Sequence, residues 1–189
     1  TNSCGTSSIT CLSVYVDACG TLPVANFSAS DTTICAGQCI NFFDLSANSP
    51  ISWNWTFNGA ITSSSTQQNP TNICYNTPGT YSITLIVSNA NGSDTETKTN
   101  YITVVSLPAT PGIISGADTV CSGQNNVAYG ISPVSGVTSY IWTVPSGAAL
   151  ASGQGGTSII VNFGSSTGNI CVLANNACGI GSQSCISIA

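Results

Sequence analysis

Three glycines, Gly5, Gly92 and Gly179, stand 87 residues apart, and much of the remaining chain keeps the same step. Asn2, Asn89 and Asn176 fall in line with them, as do Asp31 with Asp118, Ser52 with Ser139 and Trp55 with Trp142; Cys35 and Cys121 agree to within one residue. A period of this length is a whole domain, far longer than the rung of a solenoid. It predicts a tandem array with a leader at 1–18, a first unit at 19–105 and a second at 106–189. The leader aligns with the end of a unit, so it reads as the closing hairpin of a preceding repeat. A hairpin alone is marginal in water, so it either belongs to an upstream domain or completes the sandwich of a neighbouring subunit by strand addition.

The surface of such a chain has to be unusual, because only 4% of its residues are charged whereas 42% are hydrophobic. Hydroxyls, amides and glycine must carry the polar face. Lys98 is the sole cation against six acids, which excludes a nucleic-acid partner, since phosphate neutralisation needs clustered Lys and Arg. Ten cysteines with no histidine and no CxxC pair point to disulfides made in an oxidising, extracellular compartment rather than to zinc or redox chemistry. No apolar run in this segment approaches the roughly 20 residues that span a bilayer.

Apolar residues alternate with polar ones between closely spaced turn signals, which predicts an all-β fold. Strands are expected at 25–28, 39–44, 52–57, 80–89 and 97–105, then at 112–114, 126–131, 139–144, 158–163, 168–174 and 183–188. In the strand at 52–57 the period places Trp53, Trp55 and Phe57 on one face, with Tyr140, Trp142 and Val144 in register one repeat later. With Tyr81, these aromatics are the expected core; an exposed platform for stacking on sugar rings is the alternative use of the same spacing.

The segments Val24-Ala25-Asn26-Phe27-Ser28, Trp53-Asn54-Trp55-Thr56-Phe57, Asn69-Pro70-Thr71, Pro78-Gly79-Thr80-Tyr81 and Asn91-Gly92-Ser93-Asp94-Thr95 together resemble the PKD domain across most of 21–105. The second unit keeps Trp142 and the closing hairpin but lacks the Pro-Gly-Thr-Tyr turn, and is similar to the family in a more divergent form. The resemblance implies tandem immunoglobulin-like sandwiches, here stapled by disulfides, and the Cys-rich form resembles repeats of giant secreted adhesins and filament proteins of gliding bacteria. Asn58-Gly59-Ala60 stands where many members carry Gly-Asp-Gly, which removes the carboxylate that some relatives use for metal.

The internal copies also propose a cysteine pairing. Cys4 and Cys11 have counterparts in Cys178 and Cys185 but become Asn91 and Lys98 in the middle copy, which suggests bridges Cys4–Cys11 and Cys178–Cys185. Cys39 and Cys74 occur only in the first unit and are paired on the same logic. Elimination leaves Cys121 with Cys171 and Cys19 with Cys35, an intermolecular bond being the alternative for Cys19.

No catalytic constellation is present: without histidine a serine or cysteine nucleophile lacks its usual base, and Asp94 with Glu96 fits a hairpin turn better than an acid pair. Asp31, Asp44 and Asp118 have no dense Asx loop behind them, so neither metal nor cofactor is expected. Asp31-Thr32-Thr33 and Asp118-Thr119-Val120 resemble the Asp-Thr O-glycosylation motif of secreted proteins of the same bacterial group, making Thr32 and Thr119 candidate glycan acceptors; an Asp turn ahead of a strand is the alternative. The expectation is a non-catalytic, load-bearing repeat of an extracellular filament or long surface adhesin, associating head-to-tail or continuing a longer array. The alternative is a carbohydrate- or protein-binding accessory module of a secreted hydrolase.

Overall fold

The computed structural model describes residues 20–189; Cys4, Cys11, Cys19 and the leader lie outside them. Every regular element among the described residues is a strand. The first domain is built from β1 (Phe27–Ala29), β2 (Thr33–Cys35), β3 (Gln38–Ile40), β4 (Phe42–Asp44), β5 (Ser52–Phe57), β6 (Ser64–Ser65), β7 (Ile73–Tyr75), β8 (Gly79–Asn89) and β9 (Gly92–Val105). The second contains β10 (Val127–Gly130), β11 (Ser139–Thr143), β12 (Ala149–Ser152), β13 (Ser158–Asn162), β14 (Gly168–Asn176) and β15 (Gly179–Ile188).

In the first domain a five-stranded sheet of order β2-β9-β8-β5-β6 faces the pairs β1-β4 and β3-β7. All its pairings are antiparallel except β2 with β9, where Thr33, Ile34 and Cys35 run parallel to Thr103, Val104 and Val105. The expected strand at 39–44 divides at Asn41, because its two halves bond to different partners, β7 and β1. In the second domain β10-β13-β12 faces β11-β14-β15. No strand forms at 112–114; only Ser115, just beyond, bridges to Gly130.

Alternation sets the packing. Ile83, Leu85 and Val87 on β8 and Trp55 and Phe57 on β5 have no exposed surface, and Ile170, Val172 and Ala174 on β14 repeat the pattern. Each of the valine, leucine, isoleucine and phenylalanine side chains contributes about 1.5–3 kcal/mol by leaving water. Two cores result. One gathers Phe27, Phe42, Trp55, Phe57 and their neighbours, with Phe42 and Phe57 centroids 4.8 Å apart; the other gathers Tyr129, Trp142, Phe163 and theirs. The two indoles are held alike: Trp55 Nε1 donates to the Gln67 carbonyl and Trp142 Nε1 to the Gly156 carbonyl, each at 2.8 Å.

Candidate functional site

The feature that sets this chain apart from two beads on a string is the joint between them, and it grows out of two small turns. The first is Cys35-Ala36-Gly37-Gln38, between β2 and β3. The Gln38 side-chain carbonyl accepts the Cys35 amide at 2.9 Å, Gly37 takes a φ of 90° that only glycine adopts freely, and the Ala36 amide donates to the Val105 carbonyl at 2.9 Å. Since β2 runs alongside the end of β9, Cys35 stands where the chain leaves the first domain.

The second is the hairpin turn Asn176-Ala177-Cys178-Gly179 between β14 and β15. The Asn176 side-chain oxygen accepts the Cys178 amide at 2.8 Å while its Nδ2 donates 2.9 Å to the Ser106 carbonyl in the linker. Gly179 lies against Leu107 and Gly181 against the Pro108 carbonyl, the latter too close for any β-carbon without movement. The turn therefore clamps the segment that enters its own domain. The same clamp exists in the first domain, where Asn89 Nδ2 bonds the Thr21 carbonyl at 2.9 Å and Gly92 meets Leu22. In the second domain this clamp brings Cys178 to Cys35, and the two form a disulfide across 143 residues of sequence. Cys35, Ala36, Val105, Ser106, Leu107 and Cys178 line a groove of about 420 Å³ beside the bond.

The pairing corrects three expectations. Cys178 cannot join Cys185: Cys185 is seven residues away along an extended strand, roughly 20 Å at 3.3 Å per residue, well beyond the ~7 Å reach of a disulfide. Cys185 instead sits directly opposite Cys171 across β14 and β15 and bonds to it. That removes the Cys121–Cys171 pair, and Cys121 is exposed, with no bond to another cysteine among the described residues. Cys35 belongs to Cys178, which removes the Cys19–Cys35 pair. Cys39 and Cys74 face each other across β3 and β7 and are bonded. The Cys4–Cys11 expectation falls outside the described residues.

The few charges serve the fold. Lys98 lies over the Phe27 ring at 4.7 Å and the Tyr101 ring at 5.3 Å, and donates to the Phe27 carbonyl; the chain's one cation is thus held against an aromatic edge of the first core. Asp94 accepts the Ala25 amide at 2.8 Å. Asp44 accepts from Trp53 Nε1 at 2.7 Å, from Gln68 at 3.1 Å and from the Ser46 amide at 3.0 Å. Burial raises its pKa, but the bonds from Ser46, Gln68 and Trp53 outweigh that and hold the carboxyl below its usual range. No group of three or more His, Cys, Asp or Glu gathers in metal-binding geometry among the described residues.

Trp55, Phe57, Tyr140 and Trp142 are buried, while Trp53 and Tyr81 are half-buried against the first core. The aromatic platform that stacking on sugar would need is therefore largely inside the sandwich. Thr32 and Thr119 are exposed. The Thr32 carbonyl accepts the Thr103 amide and the Asp118 carbonyl accepts the Ala189 amide, both at 2.8 Å, so Thr32 answers to Asp118 and Thr119 stands one residue further along.

Residues 21–104 match the PKD domain family and residues 107–188 a PKD-like domain family. Among solved structures, the PKD1 domain of Vibrio anguillarum Epp is 26% identical over 46% of this chain and 99% of its own, with a TM-score of 0.38. The titin I-band fragment I67–I69 is 14% identical over 89% of this chain and 65% of its own, with a TM-score of 0.54. The titin fragment A168–A170 is 14% identical over 86% and 63%, with a TM-score of 0.50. At those identities the titin fragments share the immunoglobulin-like fold alone. No curated protein matches the chain.

Proposed function

From the premise that this chain is a tandem of two PKD-type domains, we propose that it is a load-bearing, non-catalytic repeat segment of an extracellular filament or long surface adhesin. The observation that carries the reading is the covalent joint. A flexible string of binding modules needs only linkers, whereas here the Asn176 clamp and the Cys35–Cys178 bond couple consecutive sandwiches. Two independent cores support it, since each domain stays folded while the joint carries tension. Disulfides of this number suit an oxidising exterior. Thr32 and Thr119 serve in this reading as glycan acceptors that solubilise a surface with so few charges. Intact mass of the natural protein tests that part: added hexose-scale mass on the peptides carrying these threonines supports it, and the bare peptide mass rejects it.

Electron microscopy of native material tests the main claim. Beaded fibres with one bead per domain are expected; compact, monodisperse monomers under the same conditions would overturn assembly. The accessory-module reading would require glycan binding that is lost on replacing an exposed side chain.

A further inference from the structure

The turn that builds the joint occurs twice. Cys121-Ser122-Gly123-Gln124 repeats Cys35-Ala36-Gly37-Gln38 in sequence and in geometry. The Gln124 side chain accepts the Cys121 amide at 2.9 Å, as Gln38 does for Cys35. Gly123 takes a φ of 77° against 90° at Gly37. The Gly123 amide bonds the Gly164 carbonyl at 3.0 Å, as Gly37 bonds Tyr75 at 2.8 Å. Ile188 and Ala189 flank Val120, Cys121 and Ser122 around a shallow hollow of about 50 Å³, the counterpart of the groove beside Cys35. In the first domain this turn is bonded to a thiol of the next domain. In the second, Cys121 is exposed and makes no bond to another cysteine among the described residues.

The sequence of the complementary turn also occurs twice with a cysteine. Asn176-Ala177-Cys178-Gly179 has its counterpart in Asn2-Ser3-Cys4-Gly5, two repeats earlier, whereas the intervening copy, Asn89-Ala90-Asn91-Gly92, keeps the Asx turn without the cysteine. One acceptor and one donor are joined within the chain; the other acceptor is Cys121 of the second domain, and the other donor sequence is at 2–5. We propose that Cys121 is a second joint site, which forms a disulfide with Cys4 of a second copy of this chain and so links copies head-to-tail. A head-to-tail contact of this kind propagates as an open array when its rotation does not close. The inference rests on the filament reading and names its covalent link.

The bond forms by thiol–disulfide exchange. The Cys121 and Cys4 thiols together give up two protons and two electrons; oxidised glutathione, as the oxidant, accepts them and leaves as two molecules of reduced glutathione.

The test oxidises the 189-residue chain with glutathione disulfide, blocks residual thiols and compares species on a non-reducing gel, with peptide mass mapping of each band. A ladder of covalent multimers linked through a Cys121–Cys4 peptide is expected. C121S and C4S should each collapse the ladder to monomer while the Cys35–Cys178 peptide persists, which shows that the variants fold. Recovery of Cys121 as a blocked thiol in every band, or a ladder that survives in C121S or in C4S, overturns the proposal. Beaded fibres by microscopy with no covalent ladder overturn the bond alone and leave the filament reading standing; absence of both overturns both.

Discussion

Trp55 is fully enclosed by Phe27, Phe42 and Phe57, its ring 5.3 Å from that of Phe27 and its indole nitrogen satisfied by Gln67. Replacing it with alanine leaves a cavity and an unpartnered carbonyl, so W55A should cost about 3–5 kcal/mol in denaturant unfolding of the first domain. Tyr75 is the opposite case. Its hydroxyl is buried with no hydrogen-bond partner among the described residues, and burial, helped by Tyr81, pushes its pKa well up. Y75F removes an unpaid desolvation and should leave stability unchanged or raise it by up to about 1 kcal/mol; a clear loss would mean the hydroxyl has a partner. Asp44 gives a pH signature. Its folded pKa lies below the ordinary 3.8, so its contribution is present above that value and is lost as pH falls through the folded pKa. Melting of wild type and D44N should converge toward pH 2 and separate above about pH 4; parallel curves would contradict the assignment. The aromatic residues were legible in sequence because period-2 spacing fixes which face they share. The hydrogen bonds to Asp44 were not, since Gln68 and Trp53 reach it across loops that carry no periodic signal.

Among elements, the long strands β5, β8, β14 and β15 were readable from alternation, whereas β2, β6 and β7 are too short to display a period. The stretch 112–114 looks like a strand yet joins no ladder; the Gly112 carbonyl accepts the Ser184 hydroxyl at 3.1 Å instead of a backbone amide. Cysteine pairing follows register rather than joint appearance in a copy. Cys39 with Cys74 and Cys171 with Cys185 sit directly across their ladders, while Cys178 lies at a turn and answers to the preceding domain. Comparing repeats reveals which cysteines come and go together, but not which strand a turn will meet. The Cys39–Cys74 bridge closes a 35-residue loop, a constraint of roughly 3–4 kcal/mol in the loop-entropy account. A C39S/C74S double variant should therefore lower the melting of the first domain by on the order of 15 °C and leave the second-domain transition in place. A shift of both transitions would mean that the two cores unfold as one.

For the whole molecule, the repeat predicted two beads, and their separate cores follow from it; the bond between them did not, because it depends on β2 running parallel to β9 and on a clamp that only three-dimensional contact reveals. That bond fixes how force travels. Tension applied at the two ends passes from Cys35 to Cys178 through sulfur, and the stretch between them, a sequence separation of 143, is shielded. Single-molecule stretching of the chain tests this most directly. Under oxidising conditions complete extension should fall short of that under reductant by about 500 Å, at roughly 3.5 Å per residue. Equal extension with and without reductant would place both domains in the path of the load and contradict a covalent joint.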